Sequence, residues 1–315
     1  MENFNRLVIV ICMTLMSLAA RGQTRYIDSL FQPNLSQQDV IYGNAPALGW
    51  PYLSETYTYP QDLLLDVYSP SGDTVTDRPC IVYAHGGAFL FGAKNDYPVV
   101  EFCERMTAKG YVVVSIAYRL GFNNLDSVSS QRATYRGIQD YQAAMRYVKQ
   151  HASQLGIDSN KVYGAGNSAG SIMAIHVAYL DEYERVNFPA LSSTPDLGCL
   201  SCSGNAYQTG AVPKAIANLW GAIIDTAFIE VSNNVPAISF HGDQDGLVSP
   251  NHARPFNNPF FPKLFGSTII HQRLGHLSMM NSYQVFTGAG HEPWGLFGTN
   301  LYMDSIVEAT ANFFY

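Results

Sequence analysis

The sequence predicts an α/β fold in which helices cover both faces of a mostly parallel β-sheet. Short apolar runs of strand length alternate along the chain with longer stretches whose apolar residues recur every three or four positions. The run at 111–118 (YVVVSIAY) lacks the apolar and polar alternation of a half-exposed strand. It is therefore expected to be buried on both faces, as the strands of a parallel sheet are.

The other elements are predicted in chain order from the same patterns. Strands at 63–68 and 80–84 are separated by a turn of Ser, Pro, Gly and Asp. Helices at 97–109 and 133–155 each end at a glycine, the usual residue after a helix. The remaining elements are strand 161–165, helix 169–180, strands 217–224 and 237–241, helix 262–277, strand 283–287 and helix 301–314.

The first residues are expected to lie outside this fold. The apolar, uncharged run at 7–20 is shorter than the roughly 20 residues that a membrane-spanning helix needs, and small residues follow it. This pattern is typical of a cleavable signal peptide, here 1–22, and predicts a secreted or periplasmic protein. A buried N-terminal helix is the alternative. With no internal repeat or linker, residues 23–315 are predicted to form a single domain.

Composition excludes several classes of protein. With 47% hydrophobic and only 14% charged residues, the chain does not have the balance of a disordered protein. A net charge of −7 argues against nucleic-acid binding, which needs Lys and Arg to neutralise phosphates. Stable membrane insertion is not expected either. The histidines are scattered and no carboxylate cluster has the spacing of metal ligands, so no metal is expected.

The cysteines after the predicted signal peptide fall into two groups. Cys199 and Cys202 could be a redox pair, half of a zinc site or a short-loop disulfide. No second cysteine pair or thioredoxin-like unit accompanies them, which favours the disulfide. Cys80 at the start of a strand and Cys103 in a helix are expected to be buried thiols.

The segment 166–170 reads GNSAG and lies between a predicted strand and a predicted helix. In such a tight turn Ser168 is forced into a strained backbone with its hydroxyl outward, and the glycines leave room for the turn. A serine that merely caps the helix would not explain both glycines. Ser168 is therefore the predicted nucleophile.

A serine nucleophile needs a base and an orienting acid. His291 follows the last predicted strand in a glycine-rich loop, at the sheet edge where ligands bind in open α/β sheets. It is the predicted base. Other histidines read as ordinary helix or surface residues: His151, His176, His252, His271 and His276.

Two carboxylates compete for the role of the acid. Asp245 and Asp243 both follow strand 237–241 at the same edge of the sheet. Asp245 lies further along the loop, where it could turn back toward the base, and is preferred. Asp243 is the second choice. Its alternative, purely structural interpretation is that of a turn residue near Gly246.

The negatively charged oxygen of an acyl-transfer intermediate needs hydrogen-bond donors. One predicted donor is the backbone N–H of Ala169. Others are expected from the loop 85–89 (HGGAF), which follows strand 80–84. Because the donors are backbone N–H groups, the alanine at position 88 can occupy the place of a third glycine in this loop. His85 is expected to brace the loop.

These motifs, together with YRL at 118–120, Asp140, LGID at 155–158, HGDQDGLV at 241–248 and GAGHEPW at 288–294, resemble the α/β-hydrolase carboxylesterases. The nearest groups are the hormone-sensitive-lipase-like and type-B families, and the resemblance runs from about residue 60 to the end. It implies an α/β-hydrolase fold and no cofactor. It also implies the triad Ser168, Asp245 and His291, in that family's chain order, and the oxyanion donors Gly87, Ala88 and Ala169.

The sequence departs from the family in having HGGA rather than HGGG and in having Asn167 before the nucleophile, where type-B members often have Glu.

The predicted function is a secreted serine hydrolase of carboxylic esters, acting on a small-molecule or polysaccharide-linked ester. The alternatives are a carbohydrate-directed acetyl or feruloyl esterase, a serine peptidase and a non-catalytic binding protein. No oligomeric state follows from the sequence. Candidate pocket residues are Phe89, Phe91, Tyr97, Leu247, Val248 and Trp294.

Overall fold

The computed structural model of the protein describes residues 24–295 and 300–315. The expected signal peptide at 1–22 lies outside the described residues. Among the residues that are described, no helix is both long enough and apolar enough to cross a bilayer.

A large sheet organises the chain. Its strands are β1 (Pro33–Leu48), β2 (Thr58–Pro70), β3 (Arg78–Ala84), β4 (Val112–Ile116), β5 (Ile157–Asn167), β6 (Ile216–Leu219), β8 (Ala237–Gly242) and β11 (Asn281–Phe286). They lie in the order β1-β2-β4-β3-β5-β6-β8-β11. The strands β1 and β2 are antiparallel at one edge, and all pairs from β4 to β11 are parallel. The predicted mostly parallel sheet is confirmed.

A small antiparallel sheet lies beside the main one. It contains β7 (Ala222–Ile223), β10 (Leu264–Gly266) and β9 (His252–Ala253), in that order. The α-helices are α1 (Tyr97–Ala108), α2 (Ser127–Gln150), α3 (Ala152–Leu155), α4 (Ala169–Tyr179), α5 (Ser267–His276) and α6 (Leu301–Phe314). Short 3₁₀ turns span Glu182–Asn187, Pro189–Ser192, Thr226–Phe228, Val231–Asn233 and Pro255–Asn257.

Two apolar clusters cover the two faces of the sheet. Side chains alternate along a strand, so Val82 of β3 packs into one cluster and its neighbour Ile81 into the other. The first cluster includes Ile138 of α2, and the second includes Phe102 of α1 and Ile306 of α6. Helices therefore lie on both faces, as the sequence predicts.

Several elements differ from the prediction. The expected helix 133–155 begins earlier, at Ser127, and is divided into α2 and α3. The expected strand 217–224 is divided into β6 and β7, because the left-handed backbone of Trp220 (φ 45°) turns the chain between them. The expected helix 262–277 begins only at Ser267, since Leu264–Gly266 pairs with β7 and β9 instead. The edge strand β1 was not predicted, because its exposed, polar first half shows no apolar pattern.

The start of α4 is packed directly on the backbone of β3. A Cβ on Gly170 would lie 2.0 Å from the Ala84 carbonyl oxygen, and one on Gly166 would lie 2.5 Å from the Gly170 carbonyl carbon. No side chain fits between these backbones. The glycines at 166 and 170 therefore allow the close approach of this turn to the sheet.

We expect Gly170→Ala to lower the free energy of unfolding by about 3 kcal/mol, because its methyl group has no space. Gly275→Ala is the matched control in α5, where a Cβ would meet no atom within 4 Å. Removing a helical glycine there should stabilise the protein by about 0.5–1 kcal/mol. Urea unfolding of both variants measures the difference. Equal effects would contradict the packing argument.

Candidate active site

Ser168 lies in the turn between β5 and α4. Its backbone is left-handed (φ 52°), its N–H donates to the Leu219 carbonyl, and Ala169 begins the helix. A left-handed serine is strained, and such residues cluster at functional sites. The sharp turn expected from the GNSAG motif is present.

His291 contacts both predicted partners. Its Nε2 lies 2.9 Å from Ser168 Oγ, and its Nδ1 lies 2.6 Å from Asp245 Oδ2. The loop that holds His291 follows β11, and the Asp245 loop follows β8, so parallel strand ends bring all three residues to one edge. The structure brings Ser168, His291 and Asp245 within hydrogen-bond distance of one another in series.

Asp245 is held by donors on both of its oxygens. The N–H groups of Leu247 and Val248 each donate to Oδ1 at 2.9 Å. His291 Nδ1 contacts Oδ2, and so does His241 Nε2 at 3.2 Å. Burial alone would raise the pKa of the Asp245 carboxyl, but the contacts with His241 and His291 outweigh it and lower that pKa strongly. Asp245 is therefore ionised at neutral pH.

Asp243, the second choice, does not contact the base. Its Oδ1 accepts a 2.7 Å hydrogen bond from the Gly288 N–H, in the turn that precedes His291. The Asp243 carboxylate thus supports the loop that carries His291. Asp245, two residues later in the chain, contacts the His291 ring itself.

The loop after β3 has the conformation of a backbone-donor site. Gly87 and Ala88 both have positive φ values, 112° and 54°. A Cβ on Gly87 would lie 2.0 Å from the Phe91 carbonyl oxygen, so glycine is required there. Ala88 lines the same cavity as Ser168 and Ala169. In the described part of the chain, the N–H groups of Gly87 and Ala88 donate no hydrogen bond.

His85 braces this loop, as expected. Its ring stacks on Tyr118 with the centroids 4.4 Å apart, and its Nδ1 lies 2.6 Å from the Gly86 carbonyl oxygen. The Tyr118 hydroxyl also donates to the His85 carbonyl oxygen at 3.0 Å. Two polar contacts and one ring stack therefore fix the residues before Gly87.

Burial lowers the pKa of His85 and of His176 in α4 to about 4, from an ordinary value of 6.5. Between these values the unfolded chain binds protons that the folded chain does not, so stability is full above pH 6.5 and falls as the pH drops toward 4. Each histidine should contribute a slope of about 1.4 kcal/mol per pH unit. Urea unfolding between pH 7.5 and 5 measures it. An unchanged slope in His176→Gln would contradict the assignment.

Two tryptophans pack behind the base, and sequence reasoning missed the first. Trp220 lies edge-on to the His291 ring at 6.4 Å between centroids and edge-on to Trp294 at 4.6 Å. Both indoles are buried. Trp220 directly follows β6 at the carboxyl edge of the sheet, where ligand-binding residues are expected. That position in the sequence could have identified it as a residue of the site.

A narrow apolar cavity of about 50 Å³ opens beside Ser168. Of the predicted pocket residues, Phe89 and Val248 line it. Sequence reasoning missed most of its wall, which comes from α2, α4, the residue after β7 and the segment 255–264. These residues are Ser130, Gln131, Thr134, Ile172, Ile224, Pro255, Phe256, Phe261, Pro262 and Leu264.

A wider cavity of about 340 Å³ lies next to the loop 85–89 that follows β3, called the oxyanion loop below. The predicted pocket residues Phe91, Tyr97 and Trp294 line this one, together with the acidic residues Asp96 and Glu292. Leu247, the remaining predicted pocket residue, is exposed. The six predicted residues thus divide between two cavities and the surface.

Cys199 and Cys202 form a disulfide, and Cys80 and Cys103 are buried thiols, as predicted. Within residues 24–295 and 300–315, no group of three or more His, Cys, Asp or Glu side chains is placed to hold a metal ion.

Parts of the chain are similar to known proteins. Residues 65–197 match the BD-FAE family model, an α/β-hydrolase esterase family. The chain is 33% identical to Lipase 1 of Geotrichum candidum over 125 residues, which cover 37% of this chain and 22% of that protein. It is 33% identical to Carboxylesterase 3B of Mus musculus over 150 residues, 46% of this chain and 26% of that protein.

A third relative is the Neuroligin-like protein glit-1 of Caenorhabditis elegans, 32% identical over 137 residues. That match covers 42% of this chain and 18% of glit-1. The chain thus matches about a quarter or less of the length of each of these relatives.

Among solved structures, esterase 2 of Thermogutta terrifontis phosphoramylated by tabun superimposes with a TM-score of 0.62 at 19% identity. The superposition covers 89% of this chain and 94% of that one. The fold is that of the α/β-hydrolases, and the matched segments are similar in sequence to carboxylesterases and lipases.

Proposed function

We propose that this protein is an exported serine hydrolase that cleaves carboxylic esters through an acyl-enzyme on Ser168. The observation that supports it most directly is the hydrogen-bonded series from Ser168 Oγ through the His291 ring to the Asp245 carboxylate. A serine hydroxyl is a poor nucleophile until a neighbouring base accepts its proton. This series supplies both the base and the group that orients it.

In the proposed reaction, Ser168 Oγ attacks the ester carbonyl carbon while His291 Nε2 accepts the hydroxyl proton. The backbone N–H groups of Gly87, Ala88 and Ala169 are assigned to the oxyanion of the tetrahedral intermediate. The alcohol leaves with the proton from His291. Water then attacks the acyl group, gives a proton to His291, and the carboxylic acid leaves as Ser168 regains its hydrogen.

The acyl part of the substrate is assigned to the apolar cavity beside Ser168. Its wall is mostly apolar, with polar side chains contributed by Ser130, Gln131 and Thr134 of α2, and its small volume of about 50 Å³ suits a short chain. Esterase 2 of Thermogutta terrifontis has been solved with propionate and with butyrate bound. That similarity of fold supports a short acyl group here.

The test is a series of p-nitrophenyl esters from acetate to decanoate, combined with fluorophosphonate labelling and mapping of the labelled peptide. We expect the highest kcat/KM for two- to four-carbon acyl groups and a label on Ser168. Hydrolysis of peptide anilides without ester hydrolysis would indicate a peptidase. A chain that neither turns over nor labels would be a non-catalytic binding protein, and the proposal would be wrong.

Export is proposed from the apolar run at 7–20 and the small residues after it. Expression of the full chain in a bacterial host, followed by N-terminal sequencing of the periplasmic or secreted fraction, tests this part separately. A mature chain that begins at Gln23 is expected. Retention of the first residues in a cytoplasmic product would contradict it.

The second candidate is an esterase directed at acylated carbohydrate, and the wider cavity favours it. Phe91 and Tyr97 present exposed rings there, and Asp96 and Glu292 contribute carboxylates. Rings pack against the apolar faces of sugars and carboxylates accept hydrogen bonds from hydroxyls. If so, Tyr97→Ala should raise KM for acetylated xylo-oligosaccharides and leave p-nitrophenyl acetate unaffected. Equal KM changes for both substrates would count against this candidate.

A further inference from the structure

His241, at the end of β8, contacts the same oxygen of Asp245 that the His291 ring contacts. Its ring is fully buried, and its Nε2 lies 2.8 Å from the Val248 carbonyl oxygen and 3.2 Å from Asp245 Oδ2. Its Nδ1 lies 2.7 Å from Ser267 Oγ at the start of α5. Nothing in the mechanism above uses this imidazole.

The direction of each hydrogen bond behind His241 follows from one backbone donor. The Gly221 N–H donates to Asn218 Oδ1 at 2.9 Å, so that atom must be the amide oxygen. The amide nitrogen of Asn218 then faces Ser239 Oγ at 2.9 Å and Ser267 Oγ at 3.0 Å and donates to both. Ser267 Oγ, as an acceptor from Asn218, has its own hydrogen free to donate elsewhere.

The hydrogen of Ser267 Oγ points to His241 Nδ1, which makes that nitrogen the acceptor of a neutral ring. The ring proton is then on Nε2. There it donates to the Val248 carbonyl oxygen at 2.8 Å and faces Asp245 Oδ2, which lies 3.2 Å from the nitrogen. The network thus fixes the tautomer that donates toward the acid.

The same network reaches the turn that carries the nucleophile. Ser171, one turn into α4, donates to Asn218 Oδ1 at 2.6 Å. Ser171, Asn218, His241 and Ser267 are almost completely buried, so water does not compete for their hydrogen bonds. The loop that carries Asp245 and the helix that follows Ser168 are therefore connected through one set of buried polar side chains.

We propose that His241 is a positioning residue for the reaction, a neutral imidazole whose Nε2–H holds Asp245 Oδ2 in line with His291 Nδ1. The inference rests on the proposed function, in which Asp245 orients the base. Two backbone N–H groups hold Oδ1, so the carboxylate is fixed by donors at both ends. His241 acts through Asp245 and contacts no reacting atom.

The contact with His241 also contributes to the lowered pKa of Asp245, together with His291. Those two rings are the titratable groups within hydrogen-bond distance of the carboxylate in the described residues. Without the His241 donor, Asp245 would be protonated at a higher pH and its oxygens would be less well fixed. Both changes reduce the orientation of His291.

The test compares His241→Met, which removes the donor at similar volume, with His241→Gln, whose amide can place an N–H near the position of Nε2. We expect His241→Met to lower kcat/KM for p-nitrophenyl acetate about 10- to 100-fold, the range for a hydrogen bond to a charged group. The loss should lie in kcat, with KM nearly unchanged, because no contact to substrate is removed. His241→Gln should recover most of the wild-type kcat.

The double variant separates positioning from general destabilisation. If His241 acts through Asp245, His241→Met should cost little in an Asp245→Asn background. Tyr163→Phe is the stability control, because it removes a buried hydrogen bond to Phe314 away from the site and should leave kcat unchanged. Circular dichroism and urea unfolding give the folded fraction by which every rate is corrected.

The inference is wrong if His241→Met keeps the wild-type kcat, or if its cost multiplies fully with that of Asp245→Asn. Should His241→Met fail to fold, Ser267→Ala replaces it. A several-fold loss of kcat is then expected, and no change would overturn the inference. Wild-type protein that neither hydrolyses esters nor labels at Ser168 would instead overturn the proposed function and, with it, this role.

Discussion

Ser168→Ala should reduce ester hydrolysis by a factor on the order of 10⁶ in kcat, the size of loss expected when a serine nucleophile is removed. The cavity, the oxyanion loop and the His291–Asp245 pair would all remain, so substrate binding should persist. Burst and steady-state assays with p-nitrophenyl acetate measure the loss. Circular dichroism checks that the variant is folded.

Ser282→Ala is a suitable control, because Ser282 is an exposed serine on the edge strand β11, outside the site. It should retain full activity and fluorophosphonate labelling. Substantial turnover by Ser168→Ala, with activity of the control unchanged, would mean that the reaction does not pass through this hydroxyl.

Asp245→Asn should lower kcat by about 10⁴, because it forces the wrong tautomer on the base. The N–H groups of Leu247 and Val248 require an acceptor at the Oδ1 position, so the amide oxygen is held there. The amide NH₂ then faces His291 Nδ1 and donates to it. The ring proton moves to Nε2, which can no longer accept the proton of Ser168.

Asp243→Asn is the matched control two residues earlier. Asparagine retains an oxygen that can accept the Gly288 N–H, so we expect less than a fivefold change in kcat. Steady-state kinetics of the two variants on one substrate make the comparison. Losses of equal size would show that Asp245 was the wrong choice of carboxylate.

Much of the site geometry could be predicted from the sequence because each key residue follows a strand of recognisable composition. Parallel strands end at one edge, and β5, β8 and β11 place Ser168, Asp245 and His291 there. The choice between the two aspartates depended on loop length alone. The 2.6 Å contact to the base favours Asp245.

The remaining features depend on contacts between distant segments, which periodicity does not reveal. Helix α2 begins at Ser127, earlier than predicted, because its first turns bury Arg132 and Arg136 against Glu55. In the sequence, charged residues of this kind resemble a solvent-exposed face. The polar partners of His241 were missed for the same reason, since buried serines and asparagines look like surface residues until their neighbours are known.

The direct backbone contact between Gly170 and Ala84 divides the substrate site into a fixed half and an adjustable half. With no side chain between them, the nucleophile turn and the end of β3 must move as a single body, and the oxyanion loop begins at that same strand end. Adaptation to bulkier acyl groups must come from the opposite wall, the proline- and phenylalanine-rich stretch 255–264. Evolution or engineering of chain-length preference can therefore proceed in that stretch without disturbing the alignment of reacting groups.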